Sequence, residues 1–406
     1  MRSEPAVAPI ERPQQAPSRM RPPPAPPQAR GVRVRLKALR ARLKVPLMNL
    51  AATWAARGLD GGPHRIEEFL ALSPRRILLI RTDRIGDLLC STPVIAALHR
   101  RWPDAVLCLV GGPRNRPVSA LLPYVVRGPD FSRHPATWLR LATWLPRQCF
   151  DLAISLRSEV LSGAFIATAS RAPWRVAVHR SPRTAPAFNV FLGEEDIHQT
   201  RRYWQAARRI DPTLPGELPK PIIELGSDAA AIGPKVLASL GVSAHAIKIG
   251  VAMPPRQDRR HRRRAWPHPE LRDAVARLVG HGFEVLLAPG NHREHAEALR
   301  IVRAVPGAWL LPPMTLAETA SVQGQLDAWI GTSSGLLHLA TAMGTPTLMV
   351  GTAALLRAWG PLGPLHHQVC ADHPTDITAI HVVDALIRLI AKVAFHVAHC
   401  PQRPAA

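Results

Sequence analysis

Short blocks of apolar and polar residues alternate along the chain from about residue 74 onwards. Ile77–Ile80 is an apolar run, Arg81–Asp87 is polar, and Leu88–Trp102 carries apolar residues at helical spacing. An apolar run of this length is typical of a parallel strand that is buried on both faces. The succession of strand, loop, helix and strand predicts a doubly wound α/β sheet.

The same alternation restarts after a proline-rich stretch at 212–232, which indicates a linker between two halves. Further strands are predicted over Ala105–Val110, Asp151–Leu156, Arg175–Val178, Ile247–Ala252, Glu284–Ala288, Ala328–Ile330 and Thr347–Val350. Further helices are predicted over Pro269–His281, His292–Val305, Leu336–Met343 and Ile377–His399. We therefore expect two Rossmann-like halves separated by a cleft, over 74–220 and 221–365, followed by a C-terminal helix and tail over 366–406.

The N-terminal region differs from the rest of the chain. Residues 1–30 contain nine prolines and are expected to form a disordered tail. Residues 31–73 form a basic extension in which apolar residues from Leu36 to Trp54 share one helical face. Residues 31–58 are therefore a candidate contact with an anionic membrane surface, and the alternative is a helix packed on the following domain.

Composition narrows the class of protein. The chain has 406 residues, 47% of them hydrophobic, which is ample for buried cores, but no apolar run is long enough for a membrane span. Five cysteines without a CxxC pair form neither a disulfide framework nor a zinc site, and the expected location is cytoplasmic. Residues 1–44 and 256–264 supply 14 of the 23 net positive charges, so the charge is a weak argument for nucleic-acid binding.

A polar loop, Arg81–Asp87, follows the first predicted strand, where ligands bind in open α/β sheets. Gly86 lets the backbone turn closely, and Asp87 lies near the start of the next helix. Two interpretations of Asp87 are open from spacing alone. It either stabilises the helix through the dipole or acts chemically.

A second loop, Gly331–Gly335, joins a predicted strand to a predicted helix in the second half. Free backbone N–H groups at such a helix start can hold a phosphate or diphosphate. The alternative is that Ser334 only caps the helix.

The segments RTDRIGDLLCSTPVIAALHRRWP and GTSSGLLHLATAMGTP, at this separation, resemble glycosyltransferase family 9, the ADP-heptose:lipopolysaccharide heptosyltransferases. Three further motifs support the resemblance, which covers roughly 74–395: Arg264-Ala265-Trp266-Pro267, Met314-Thr315-Leu316 and Trp359-Gly360-Pro361. The resemblance implies a GT-B fold and an inverting, metal-independent transfer that needs no cofactor. It also implies an ADP-heptose-like nucleotide-diphosphate sugar donor in the second half, and a glycolipid or glycan acceptor, such as lipopolysaccharide core, in the first. The enzyme would work in the cytoplasm, at the inner membrane face.

The resemblance also assigns roles to individual residues. Asp87 matches the general base that takes the proton of the acceptor hydroxyl. On the acceptor side, the same segment contributes Arg81, Arg84 and Gly86. The residues expected to bind the donor are Arg264 and His338 with Ser334 and Gly335 at the diphosphate, Ser333 at the sugar, Met314 at the base and Glu294 at the ribose.

Two departures from the family pattern bear on activity. Ser333 stands where the family has an aspartate that contacts donor-sugar hydroxyls, so a donor sugar other than heptose is an open alternative. Met253-Pro254 replaces a threonine pair, and the arginine-rich run 256–264 that follows is either a solvated loop or a loop that gathers anionic ligands. The alternative functions are a weakly active or inactive relative that acts as a membrane-surface scaffold, and a basic nucleic-acid-binding protein. With the family resemblance in place, no nucleic-acid partner is expected.

Overall fold

The computed structural model describes residues 64–132, 134–157, 159–193, 198–216, 220–254 and 266–399. The predicted tail, the candidate membrane segment 31–58, the arginine-rich run 256–264 and Arg264 lie outside these residues. Of the predicted extension, residues 64–73 are described and contain a short helix, α1, over Ile66–Leu70, whose Phe69 is buried in the core that follows.

The first half is a sheet of six parallel strands in the order β3-β2-β1-β4-β5-β6. These strands are β1 Arg76–Ile80, β2 Val106–Val110, β3 Val125–Arg127, β4 Leu152–Ser155, β5 Trp174–Ala177 and β6 Val190–Phe191. The helices around them are α2 Ile85–Cys90, α3 Thr92–Arg101, α4 Arg116–Ser119, α5 Pro135–Trp144, α6 Leu161–Ala169 and α7 Gln199–Ile210. Apolar clusters cover both faces of the sheet, which explains the uninterrupted apolar runs in its central strands.

The second half repeats this topology, with six parallel strands in the order β12-β11-β10-β7-β8-β9. Its strands are β7 Lys248–Ala252, β8 Glu284–Ala288, β9 Ala308–Leu310, β10 Ala328–Gly331, β11 Thr347–Thr352 and β12 His366–Ala371. Its helices are α8 Ser227–Ala230, α9 Ile232–Leu240, α10 His268–Gly280, α11 His292–Ala304, α12 Leu316–Gln323, α13 Gly335–Ala342, α14 Ala353–Trp359 and α15 Ala379–His399. Numbered within each half, both sheets have the strand order 3-2-1-4-5-6 of doubly wound nucleotide-binding folds. The predicted pair of Rossmann-like halves is confirmed.

The helix predicted over Leu88–Trp102 is wrong in one respect, because two helices occupy this stretch. Helix α2 begins at Ile85, which places Asp87 inside its first turn, and it ends before Ser91. Pro93, at the second position of α3, has no N–H to donate to the Leu89 carbonyl. The Thr92 hydroxyl donates to that carbonyl instead, at 2.8 Å.

Four edge strands of the sheets, β3, β6, β9 and β12, have no counterpart in the sequence prediction. The first three contain only two or three residues. The fourth, His366–Ala371, has partly exposed and exposed residues throughout and lies in the stretch predicted as a C-terminal helix and tail. Edge strands carry less of the apolar pattern because one side of each faces away from the sheet.

An aspartate holds the first strand of each sheet at its start. In the first half, Asp151 precedes β4 and its Oδ2 accepts hydrogen bonds from the backbone N–H groups of Arg75 and Arg76, at 2.8 and 2.9 Å. In the second half, Asp327 precedes β10 and accepts one from Lys248, at 2.8 Å. The two halves therefore fix their central strands in the same way.

The C-terminal helix α15 has 21 residues and packs one face on the second core. Within the part of the chain that the structure describes, no helix combines the length and the apolar character that a membrane crossing requires.

Candidate active site

The loop after β1 and the loop after β10 each leave the carboxyl end of a strand where the strand order of its sheet reverses. Open α/β sheets bind ligands at such positions. The first loop contains Arg81 to Arg84 and leads into α2. The second contains Thr332 to Ser334 and leads into α13.

Asp87 is the third residue of α2, and its side chain is 16% exposed. Its Oδ2 accepts a hydrogen bond from the backbone N–H of Arg84 at 3.2 Å, so the carboxylate closes the first turn of its own helix. Its Oδ1 lies 3.6 Å from Nη2 of Arg81. The structural role predicted for Asp87 is therefore present, and enough of the carboxylate remains accessible for chemistry.

Arg81 is 1% exposed, and each guanidinium nitrogen faces a protein group. Nη1 donates to the Leu156 carbonyl and to the Tyr203 hydroxyl, which itself donates to Leu156 at 2.8 Å. Nε lies 2.9 Å from Oδ1 of Asp83, without the alignment of a hydrogen bond, so this contact is an ion pair. Burial acts to lower the pKa of Arg81, but Tyr203, Asp83 and Asp87 outweigh it and raise the pKa. Arg81, expected to contact the acceptor, is enclosed by its own protein.

Asp83 joins Arg81 to a second arginine. Its side chain is 7% exposed, and its Oδ2 lies 3.3 Å from Nη1 of Arg157, which follows β4. Burial raises the pKa of the Asp83 carboxyl above its ordinary value, while Arg81 and Arg157 act in the opposite direction. Contact of both oxygens with guanidinium groups is the geometry of an ionised carboxylate. Glu159 continues the chain of charges, at 3.4 Å from Nε of Arg157.

The residues of this charge network around Arg81 were not among the site residues predicted from sequence. Asp83 lies in the predicted loop, two positions from Arg81, and that spacing was the available signal. Arg157 and Tyr203 come from distant segments and reach the loop only through the strand order, which no local pattern encodes.

In the second half, Ser334 is the N-cap of α13, and its hydroxyl accepts from the Leu337 N–H at 3.4 Å. Ser334 therefore caps the helix, and its contact with a donor stays a prediction. Ser333, Ser334 and Gly335 all retain partial solvent exposure, so the start of the helix stays accessible. The eight-residue helix presents the positive end of its dipole there.

The starts of α2 and α13 touch each other. A Cβ built on Gly335 would lie 3.1 Å from Cβ of Ile85, and one built on Gly86 would lie 2.6 Å from Cδ2 of His338. Neither position leaves room for a side chain, so the two glycines let the helices approach this closely. This contact brings the first turn of α2, which contains Asp87, beside the loop that contains Ser333 and Ser334.

His338 is 5% exposed and belongs to this contact between the halves. Its Nδ1 lies 3.6 Å from Sγ of Cys90, and its ring meets Trp359 edge to face. Burial lowers the pKa of His338 to about 4, against a smaller opposing effect of Asp87, and burial raises the pKa of Cys90 to about 12. Both groups are therefore uncharged at neutral pH, and protein groups enclose the imidazole that was expected at the donor phosphates.

The other residues expected at the donor lie in different positions. Glu294 is in the first turn of α11, half-buried, and its carboxylate accepts from the Gly290 N–H at 2.8 Å and from the Asn291 amide at 2.5 Å. Burial raises the pKa of Glu294. Met314 precedes α12 and is partly buried against an apolar cluster of the second half.

Exposed and partly exposed arginines line the edge of the first sheet that lies beside Asp87. They lie in the loops that follow β1, β2, β4 and β5: Arg84, Arg114, Arg157 and Arg180. Carboxyl ends of parallel strands share one edge, so these cations face the same side as Asp87. This edge is suited to an anionic ligand.

Two doubly wound halves, each with a loop at its switch point and joined where those loops meet, define a two-domain α/β protein of the GT-B class. The profile of glycosyltransferase family 9 (heptosyltransferase) matches residues 138–380, more than half of the chain. The chain belongs to this family and is a glycosyltransferase of the heptosyltransferase type. The residues that match the family profile begin after Asp87, so the match does not include the loop that follows β1.

Individual relatives agree with this assignment. Lipopolysaccharide heptosyltransferase 1 of Pseudomonas aeruginosa is 23% identical over 308 residues, which are 71% of this chain and 79% of the relative. The structure of Escherichia coli ADP-heptose lipopolysaccharide heptosyltransferase II has a TM-score of 0.64 at 19% identity, covering 79% of this chain and 99% of that one. An E. coli heptosyltransferase solved with ADP has a TM-score of 0.62 at 16% identity, covering 77% and 99%.

Proposed function

We propose that the protein is an inverting glycosyltransferase that moves heptose or a related sugar from an ADP-linked donor to a lipopolysaccharide-core or similar glycan acceptor. The observation that carries the proposal is the contact between α2 and α13. It sets a partly exposed carboxylate of the first half beside a partly exposed helix start of the second.

In the proposed reaction, Asp87 accepts the proton of an acceptor hydroxyl as its oxygen attacks the anomeric carbon. The bond from that carbon to the diphosphate oxygen breaks on the opposite face, so the configuration inverts in a single displacement. Negative charge develops on the leaving diphosphate, which backbone N–H groups at the start of α13 and the cation of Arg264 stabilise. Ser333 and Ser334 contact the donor at this helix start.

The remaining proposed roles follow the family pattern described above. Glu294 and Met314 bind the ribose and the base of the nucleotide, and the exposed arginines, Arg84 among them, bind an anionic acceptor. Gly86 lets the two halves approach each other closely at this contact. Ser333 is shorter than the aspartate of the family pattern and uncharged, which favours a donor sugar with a different set of hydroxyl contacts. The association of residues 31–58 with an anionic membrane surface stays a prediction.

Asp87→Asn tests the assignment of the base. The amide cannot accept a proton, so kcat for transfer from ADP-heptose to a lipopolysaccharide-core acceptor should fall by about 10²–10⁴-fold. Donor binding should survive. Thermal unfolding with ADP at about 100 times its Kd should show the same stabilisation as wild type, about 2.7 kcal/mol.

Asp104 is an exposed carboxylate of the same half, so Asp104→Asn is the matched control and should leave kcat unchanged. A kcat of Asp87→Asn equal to that of the wild type would contradict the proposed role of Asp87 as the base. Stabilisation by UDP or GDP in preference to ADP would contradict the proposed donor nucleotide.

A further inference from the structure

We infer that Asp83 is a positioning residue for Asp87 and acts through Arg81, by holding the shared guanidinium away from the Asp87 carboxylate. The inference rests on the proposed role of Asp87 as the base. A base needs a fixed orientation, but a cation that binds it tightly also blocks its oxygens and disfavours proton uptake.

Arg81 is fixed from three directions. Nη1 is held by the Leu156 carbonyl, which follows β4, and by Tyr203 on α7, and Nε is paired with Asp83. The Arg81 guanidinium also lies over the Tyr203 ring, 5.1 Å from its centre. Only Nη2 is directed at Asp87, so the cation cannot turn toward that carboxylate without breaking contacts that are buried.

The two carboxylates share this cation unequally. Arg81 lies 2.9 Å from Asp83 and 3.6 Å from Asp87. The longer distance leaves Asp87 oriented by a neighbouring cation but not tightly paired with it. Asp83 is in turn held by Arg157, which prevents it from moving toward Asp87.

Among the residues that the structure describes, this balance is the main charged influence on Asp87. Asp87 faces Arg81, Asp83 and the Arg84 N–H from the preceding loop, Cys90 from its own helix and His338 from α13, and the last two groups are uncharged at neutral pH. Arg157 and Tyr203 reach it only through Asp83 and Arg81. Removal of Asp83 therefore leaves Arg81 with Asp87 as its remaining carboxylate partner.

The test is a direct titration of the Asp87 carboxyl by ¹³C NMR in full-length protein labelled with [¹³C]aspartate. The resonance is identified by its loss in Asp87→Asn. In Asp83→Asn the titration midpoint should move to lower pH by about one unit or more, because the unbalanced cation favours the carboxylate. In Arg81→Gln it should move to higher pH. A loss of packing alone gives no reason for two shifts of opposite sign.

Two further variants distinguish the proposed electrostatic effect from a loss of the fold. Arg157→Gln removes a side chain that is 42% exposed, and it should raise the midpoint because Asp83 then acts on Arg81 alone. Asp211→Asn removes a carboxylate that pairs with Arg100 instead, and it should leave the midpoint unchanged. An unchanged midpoint in Asp83→Asn and Arg157→Gln, or shifts of Asp83→Asn and Arg81→Gln in the same direction, would overturn the inference.

Kinetics give a second readout. With ADP-heptose as donor, Asp83→Asn should lower kcat by about 10²-fold, with little change in the donor KM, because a misplaced base affects the chemical step. The titration needs neither donor nor acceptor. If the midpoints shift as expected and the wild-type protein transfers no sugar, the control of the Asp87 carboxyl by Asp83 is supported and the proposed transfer reaction fails.

Discussion

Gly86 determines how closely the two halves of the enzyme approach each other. Its missing side chain leaves the space that the His338 ring fills, and Gly335 does the same for Ile85 on the facing helix. Gly86 was predicted to allow a close turn before the helix and to lie on the acceptor side. In the structure it allows two helix starts from different halves to touch.

Gly86→Ala should destabilise the protein by about 1–3 kcal/mol, because the added methyl group would sit 2.6 Å from Cδ2 of His338 and force the helices apart. Urea unfolding measures the loss. Gly280→Ala is the matched control, because a Cβ there meets no atom within 4 Å, and alanine at the end of α10 should be neutral or stabilising. Equal stability of the two variants would show that the helices have room to adjust.

At the scale of the element, the start of one central strand in each sheet is held by an aspartate that precedes the neighbouring strand. Asp151 serves β1 and Asp327 serves β7. Each aspartate replaces a backbone carbonyl that the ladder does not supply at that end, and a charged acceptor forms a stronger hydrogen bond than a neutral one.

Asp151→Ala should cost more stability than Asp327→Ala. Asp151 accepts from two N–H groups and is partly buried, whereas Asp327 accepts from one and is exposed. We expect about 1.5–3 kcal/mol for the first variant. Thermal unfolding of both variants against Asp104→Ala, an exposed aspartate in a turn, measures the difference. A larger loss of stability in Asp327→Ala would show that these hydrogen bonds do not determine how much each aspartate stabilises the protein.

The sequence predicted the elements whose pattern is strongest. Central strands such as Glu284–Ala288 are buried on both faces, so their apolar runs stand out and their bounds agree with the structure. Edge strands such as Val190–Phe191 are too short for such a pattern. The break between α2 and α3 was missed although Pro93 marks it, because apolar spacing continues across the break.

At the scale of the whole molecule, two histidines of the second half, His338 and His366, are neutral in the folded protein at neutral pH. Burial lowers the pKa of both His338 and His366 to about 4, and His338 lowers that of His366 further. His198 adds a polar link across the same region, with Nε2 2.9 Å from the Gly360 carbonyl.

Acid should therefore weaken this protein well above the pH at which carboxylates titrate. The unfolded chain takes up protons on these two histidines near pH 6.5, and the folded chain does so only near pH 4. Stability from the neutral rings is thus complete above pH 6.5 and is lost as the pH falls toward 4, by up to about 3 kcal/mol for each ring. Urea unfolding at pH 7, 6, 5 and 4 follows the loss.

His338→Gln should remove about half of that pH dependence, because the amide does not titrate and His366 still does. His367→Gln, on the exposed face beside His366, should retain the wild-type slope. Identical slopes in all three proteins would place the acid sensitivity elsewhere.

The positions of the two switch-point loops were predictable because each lies within one segment, whereas contacts between distant segments were not. One loop leads into the helix turn that contains Asp87, and the other ends at Ser334-Gly335. Arg81 was expected at the acceptor but is buried, because Tyr203 and Leu156 arrive from segments more than 70 residues away. Pairings of that kind depend on how the strands are ordered in the sheet.

The order of strands has a consequence for how the chain is made. In each sheet the innermost strand, β1 or β7, is the first of its set to leave the ribosome. The next two strands extend the sheet to one side, and the three after them extend it to the other, so every newly synthesised strand finds its neighbour already present. Each half can thus be assembled outward from a template during translation, without a gap held open for a strand still to come.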